Sequence, residues 1–257
     1  MSRYEAMFRR SGNAGVFGAF VMLGDPDPDT CAAILDELVE SGADMIEVGI
    51  PFSDPIADGP VIQAAAMRAL ANATTPADCF ALLGAFRTRH PDVPVGILTY
   101  ANLVLARGRD DFYARAADAG VDSVLVADVP ALEAVPYAEA ARAHGVDPVL
   151  IAAANTPAQR LRELARLGGG YTYCVARAGV TGADQAARFD HAVMLGVLSA
   201  AGAPPPVFGF GISQPDHVRA ALAAGAAGAI SGSAIVERVA RGEPLAPFVR
   251  AMKAATL

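Results

Sequence analysis

The sequence predicts an α/β protein, a (β/α)8 TIM barrel with an extra N-terminal helix, in which residues 1–257 form a single domain. Short apolar runs rich in branched residues alternate with helical segments rich in Ala, Leu and Arg. Eight such units recur at roughly thirty-residue intervals, and the chain length is usual for a barrel of this kind. An open doubly wound sheet is the alternative, but the first strand–helix turn, LGDPDP, lacks the G-x-G-x-x-G pattern.

Eight apolar runs are the predicted strands. They span residues 15–23, 45–50, 95–100, 123–129, 147–153, 171–177, 206–212 and 225–231. The spacing leaves room for a helix between successive strands, and such crossover connections make the strands parallel.

Capping signals mark the starts of several helices. Thr75 is predicted to be an N-cap, because Pro76 and then Asp78 follow it. Thr156 and Ser213 are expected to cap later helices in the same way.

The N-terminal segment carries apolar residues at helical spacing. Tyr4, Met7 and Phe8 would share one face of a short helix. We expect this extra helix to plug the bottom of the barrel.

Composition restricts the possible partners. The net charge of −7 argues against nucleic acid, which requires basic surfaces. The cysteines, Cys31, Cys79 and Cys174, are far apart and odd in number, which predicts neither a disulfide framework nor a zinc site. No segment resembles a signal peptide, and no apolar run reaches the ~18–20 residues of a membrane helix, so we expect a cytoplasmic protein.

An acidic residue, Glu47, interrupts the apolar run MIEVGI (45–50). Side chains alternate along a strand, so Glu47 shares a face with Met45 and Gly49, while the branched residues share the other. The branched face suits the helix layer, which leaves Glu47 pointing into the barrel. Burial there should raise its pKa and suit it to proton transfer. A purely structural hydrogen bond or ion pair is the open alternative.

Two further carboxylates, Asp54 and Asp58, lie in the loop after this strand. SDP and ADG are ordinary turn sequences, so a local structural role stays open for both. Loops after the strands form the active-site face of a barrel, however. A second carboxylate in a different environment could take a different protonation role there.

Three glycine-rich segments follow the last three predicted strands: ARAGVTGA (176–183), GFGIS (209–213) and SGSAIVERV (231–239). A helix starting near Ser233 would aim free N–H groups and its positive dipole end at an anion. The loops after strands seven and eight commonly hold phosphate in this fold. These segments predict a phosphate site, although tight turns would also account for the glycines.

The histidines lie in or near predicted helix ends, away from the strand ends, and are expected on the surface: His90, His144, His191 and His217. No Ser–His–Asp arrangement or metal-ligand cluster is apparent. The residues alone therefore indicate a phosphate-binding barrel with carboxylate acid/base chemistry.

The stretch IEVGIPFSDPIADGP (46–60) is highly specific. This stretch resembles the tryptophan synthase α subunit family, and the resemblance extends over nearly the whole chain. The other matching segments are RYEAMF, YANLV, GVDSVLVADVP, GYTY, GVTG, GFGIS and GAAGAISGSAIV. Met22, Ala176 and residues 152–155 depart from the family pattern, but Glu47 and Asp58 match it.

The resemblance implies cleavage of indole-3-glycerol phosphate to indole and glyceraldehyde 3-phosphate, a retro-aldol lyase reaction. Glu47 would transfer protons, and Asp58 would stabilise the indole N–H. The remaining substrate-binding residues would be Phe20, Leu98, Tyr100, Ala127, Tyr173, Arg177, Thr181, Gly182, Gly211, Gly232 and Ser233. Four of these would hold the phosphate: Gly182, Gly211, Gly232 and Ser233.

The resemblance also implies a partner, a β subunit that carries pyridoxal phosphate and consumes the indole, in an α2β2 heterotetramer. This chain would then need no cofactor of its own and no metal, and Pro51 and Asp54 would face the partner. A stand-alone lyase and a noncatalytic phosphate-binding activator of the β subunit are alternatives. Another phosphate-binding barrel, such as a sugar-phosphate isomerase, is disfavoured by the stretch around Glu47.

Overall fold

The computed structural model describes residues 1–175 and 191–257, and in these ranges the strands form one sheet that curls into a nearly closed barrel. The described strands are β1 Val16–Met22, β2 Met45–Gly49, β3 Val95–Thr99, β4 Ser123–Val126, β5 Asp147–Pro148, β6 Leu150–Ala153, β7 Thr172–Val175, β8 Pro206–Gly209 and β9 Gly228–Ser231. Their order in the sheet is β5-β4-β3-β2-β1-β9-β8-β7-β6. The paired strands run parallel, which confirms the predicted barrel.

The two ends of the sheet, β5 and β6, belong to one stretch of chain. The prediction of one continuous strand over 147–153 is wrong, because the stretch changes partners at Val149: β5 pairs with β4, and β6 pairs with β7. The Val149 N–H still donates to the Val124 carbonyl, at 3.0 Å. A single segment therefore connects the first half of the barrel to the second.

Helices surround the sheet over the described ranges. They are α1 Arg3–Ser11, α2 Pro28–Glu40, α3 Pro60–Ala71, α4 Pro76–Arg89, α5 Ala101–Leu105, α6 Arg109–Asp118, α7 Val135–Ala143, α8 Ala158–Leu167, α9 Ala192–Ala200, α10 Pro215–Ala223, α11 Ser233–Arg241 and α12 Ala246–Ala254. A short 3-10 turn, Ala131–Glu133, precedes α7. None of the helices in the described part of the chain combines the length and the apolarity needed to cross a membrane.

One of the three predicted helix caps is confirmed. Thr75 and Asp78 form a reciprocal capping box at the start of α4. The Thr156 cap is wrong, because Pro157 occupies the N-cap of α8 and the Thr156 hydroxyl accepts the Ala153 N–H instead. The Ser213 cap is also wrong, because Gln214 occupies the N-cap position of α10.

Helix α1 closes the barrel at the amino ends of the strands, as predicted. Tyr4 and Met7 are buried in the cluster that fills the barrel interior. The Tyr4 hydroxyl lies 2.8 Å from the Ser123 Oγ at the start of β4, and its ring packs against Tyr171. These contacts position the plug beneath the interior side chains.

The apolar residues divide into two clusters as strand alternation predicts. Ile46, Val48 and Ile50 belong to the larger cluster between the sheet and the helices. Met45 belongs to the smaller, interior cluster. Residue 47 therefore projects inward with Met45, which explains how β2 delivers a carboxylate to the centre of the barrel.

Candidate active site

Glu47 lies near the middle of β2, opposite Phe20 on β1 and Gly96 on β3. It is 2% exposed, and the Tyr171 hydroxyl donates to its Oε1 at 2.6 Å. Burial raises the pKa of Glu47 to about 7, although the hydrogen bond from Tyr171 acts in the opposite direction. Glu47 can therefore both donate and accept a proton near neutral pH.

The raised pKa predicts a pH-dependent loss of stability. The ordinary value is 4.5 and the folded value about 7, so the stability contribution of protonated Glu47 is complete below pH 4.5 and is lost as the pH rises through 7. We expect the loss to approach about 3 kcal/mol in the free energy of unfolding. Urea unfolding across this pH range measures it, with Glu47→Gln as the reference protein. Parallel curves for the two proteins would contradict the prediction.

Asp58 lies in the loop between β2 and α3 and is 9% exposed. The Asp58 N–H donates to the Pro55 carbonyl, and Gln63 Nε2 donates to the Asp58 carbonyl. These two hydrogen bonds fix the backbone of Asp58. Burial raises the pKa of Asp58, whereas a hydrogen bond with the Tyr100 side chain lowers it. That hydrogen bond stabilises the ionised carboxylate.

Glu47 and Asp58 line the same cavity, which has a volume of about 340 Å³. Phe20, Leu98 and Tyr173 form part of its wall. A flat aromatic ligand could therefore pack on apolar surface while its polar groups meet two carboxylates.

The other end of the cavity is formed by the loops after β8 and β9. Gly211, Gly232 and Ser233 lie there. Gly211 has a φ of +83°, a conformation that residues with side chains rarely adopt. Helix α11 starts at Ser233, and the Ile235 and Val236 N–H groups donate to the Gly232 carbonyl. Ser233 and Ala234 precede them and line the cavity, so their N–H groups belong to the helix end that has no acceptor within the helix. The arrangement is suited to an anion.

The structure brings most of the predicted site residues together. Those that line the cavity are Phe20, Glu47, Asp58, Leu98, Tyr173, Gly211, Gly232 and Ser233. Tyr100 does not line the cavity, but its side chain forms a hydrogen bond with Asp58, which does. Ala127 packs against the interior cluster but does not line the cavity.

Of the other predicted residues, three fall outside the described ranges and two do not line the cavity. Arg177, Thr181 and Gly182 are outside the described residues. Pro51 is buried within the chain, whereas Asp54 is exposed on the loop after β2.

Tyr171 and His217 are the main residues that the sequence analysis missed. Tyr171 is two residues before Tyr173, so strand alternation could have placed it on the interior face. The surface prediction is wrong for His217, which lines the cavity, and for His191, which is 4% exposed and packs against Phe208.

The fold and the cavity define a (β/α)8-barrel protein with two interior-facing carboxylates and an anion-compatible end. The family model described as tryptophan synthase alpha chain matches residues 8–254. The chain belongs to the tryptophan synthase alpha chain family, a family of lyase subunits.

Individual relatives agree with this assignment. The alpha chain of Shewanella amazonensis is 53% identical over 266 residues and is matched over 100% of both chains. That of Cronobacter sakazakii is 52% identical, covering 100% of this chain and 99% of the relative. The crystal structure of the alpha subunit from Legionella pneumophila superposes with a TM-score of 0.89 at 28% identity, covering 100% of this chain and 98% of the other.

Proposed function

We propose that this chain cleaves indole-3-glycerol phosphate to indole and glyceraldehyde 3-phosphate by a retro-aldol reaction. The observation that carries the proposal is the buried Glu47, whose pKa is raised to about 7, in one cavity with Asp58. Such a residue can serve first as an acid and then as a base in the same turnover. Membership of the tryptophan synthase alpha chain family supports this reaction.

Glu47 is assigned both proton transfers. In its protonated form it donates a proton to the indole carbon that bears the glycerol chain. The resulting carboxylate then removes the proton from the adjacent side-chain hydroxyl. That oxygen becomes the aldehyde oxygen as the carbon–carbon bond breaks, and the bonding electrons return to the indole ring. The proton lost in the first transfer is recovered in the second, so Glu47 ends the cycle as it began.

Asp58 is assigned to the indole nitrogen. Protonation of the ring carbon places positive charge on the N–H group, and an ionised carboxylate that accepts its hydrogen bond stabilises that charge. The Tyr100 hydrogen bond supports this role because it favours the ionised form of Asp58. Each carboxylate has a tyrosine as hydrogen-bond partner, so the different tasks follow from burial, which is deeper for Glu47 and raises its pKa to about 7.

The remaining predicted residues are assigned to binding. Phe20, Leu98 and Tyr173 would contact the indole ring, while Gly211, Gly232 and Ser233 would hold the phosphate at the glycine-lined end. Tyr100, Ala127, Arg177, Thr181 and Gly182 complete the proposed substrate site.

We also propose that the chain works with a β subunit that carries pyridoxal phosphate, so that this chain needs no cofactor. Exposed apolar side chains support a docking surface on the loops and helices after β2, β3 and β4. Ile56 is 77% exposed and Leu132 69% exposed, and Leu105 is exposed between them along the chain. Large exposed apolar residues on one face commonly mark a protein interface. Pro51 and Asp54 belong to the same loop as Ile56.

An assay for indole tests the proposed reaction. The purified chain is incubated with indole-3-glycerol phosphate, with and without a tryptophan synthase β subunit, and indole and glyceraldehyde 3-phosphate are measured. Equal amounts of both products are expected, because one bond is broken per substrate. Absence of indole under both conditions would reject the reaction, and full activity without the partner would favour a stand-alone lyase.

A further inference from the structure

The cavity contains one residue outside the predicted set that could recognise an anion. His217 is the third residue of α10 and lines the cavity together with Gly211, Gly232 and Ser233. It is half-buried, so its ring meets the cavity without being sealed inside the protein. This places an imidazole at the end that is suited to phosphate.

The charges around the cavity single out the same residue. Among the described residues that line it, only His217 has a side chain that can carry a positive charge, whereas Glu47, Asp58 and Glu237 carry carboxylates. The described lining of the cavity therefore offers a phosphate several acidic side chains and one side chain that can become cationic. Histidine can be cationic near neutral pH, and a charge-assisted hydrogen bond to phosphate is stronger than a neutral one.

A contact with Ser213 orients the ring. The backbone N–H of Ser213 donates to His217 Nδ1 at 3.3 Å, and the Ser213 hydroxyl lies 3.5 Å from the same nitrogen. Because Nδ1 accepts the Ser213 N–H, a neutral ring carries its proton on Nε2. In the cationic ring Nδ1 is itself a donor, and the Ser213 hydroxyl then replaces the Ser213 N–H as its partner. His217 therefore offers Nε2–H as a donor, in either its neutral or its cationic form.

We propose that His217 contacts the substrate phosphate through Nε2–H and gives the site its preference for phosphorylated substrates. This inference rests on the proposed function, since it concerns the phosphate of the same substrate. Backbone N–H groups at the start of α11 would bind other phosphate oxygens. The imidazole adds a side-chain donor from the first turn of α10, after β8, and in its cationic form offsets the carboxylates of the same cavity.

Two substitutions separate phosphate binding from support of the loop. His217→Gln and His217→Glu both keep a side-chain oxygen that can accept the Ser213 N–H in place of His217 Nδ1. Gln cannot become cationic, and Glu places a negative charge at the same position. KM for indole-3-glycerol phosphate should rise about 10-fold and about 100-fold respectively, with kcat changed by less than about twofold. For unphosphorylated indole-3-glycerol, kcat/KM should be unchanged.

Binding of inorganic phosphate provides a readout that needs no catalysis. The sequence contains four histidines, so the imidazole proton signals in an NMR spectrum can be assigned with single variants. Adding inorganic phosphate to the unmodified chain should shift the His217 signals, and phosphate affinity should fall in both variants. His144→Gln, at the end of α7 and outside the cavity, is the matched control and should leave that affinity unchanged.

These measurements test phosphate binding by His217 separately from the proposed cleavage reaction. If the chain makes no indole but phosphate still shifts His217, the proposed function fails and the anion site stands. Unmoved His217 signals would overturn the inference even if neither variant folded. It would also be overturned if both variants lowered kcat without changing KM or phosphate affinity, because that pattern indicates only loop support.

Discussion

Replacing Glu47 with Gln is expected to lower the rate of indole formation by about a thousandfold, within the range that positioned acid/base groups contribute. Gln has nearly the same shape, and its amide oxygen can still accept the Tyr171 hydroxyl that lies 2.6 Å from Glu47 Oε1. It cannot, however, supply a proton to the indole carbon or recover one from the hydroxyl. The substitution therefore removes the proton transfers while preserving the fit of the cavity.

Steady-state kinetics with indole-3-glycerol phosphate measure this effect. Most of the loss should appear in kcat, since the binding residues stay in place. Glu139→Gln, the same change at an exposed position on α7, is the control and should keep the original rate. Retention of more than about a tenth of the activity by Glu47→Gln would remove Glu47 from the acid/base role, given the size of that contribution.

Gly209→Ala is expected to destabilise the protein by about 2–3 kcal/mol, at the upper end of the usual cost of overpacking a core. Gly209 ends β8, and a Cβ there would overlap the hydroxyl and ring of Tyr173. Tyr173 is buried and lines the cavity, so either the strand or the ring must move. The same movement should raise KM for the substrate, because Tyr173 forms part of the proposed indole pocket.

Gly84→Ala is the matched control, because the same substitution is expected to stabilise the protein at this position. Gly84 lies inside α4, and a Cβ there meets no atom within 4 Å. Alanine in a helix interior should stabilise the protein by about 0.5–1 kcal/mol. Denaturant unfolding of both variants measures the contrast. Equal stabilities would show that Tyr173 does not need the space at Gly209.

Local rules predicted the parts of the fold in which a residue's neighbours along the chain decide its environment. Strand alternation placed Glu47 inside the barrel, and the spacing of Thr75 and Asp78 identified a capping box. The strand break at Val149 was missed, because it depends on a change of partner between β4 and β7. The Thr156 hydroxyl likewise accepts the N–H of Ala153, which precedes it in the chain, whereas the predicted cap was based on the residues that follow Thr156.

In the candidate site, too, some residues could be predicted from the sequence and others depend on tertiary contacts. The glycine loops could be assigned to one end of the barrel because the fold fixes where strands end. His217 could not, since its role depends on the ring turning back towards Ser213 and into the cavity. The different roles predicted for Asp58 and Asp54 came from the family resemblance. In the structure one is buried beside the cavity and the other is exposed, a difference that their similar turn sequences conceal.

The change of partner at Val149 has a consequence for how the barrel assembles. Strands β1 to β5 form one half of the described sheet, and β6 to β9 form the other. Each half alone would present two unpaired edges, one at the β1–β9 seam and one at the joint between β5 and β6. Open edges invite pairing with other chains, so a half-formed barrel is the species most prone to aggregate. Docking of the halves pairs the β1 edge with the β9 edge, so each half covers the exposed seam strand of the other.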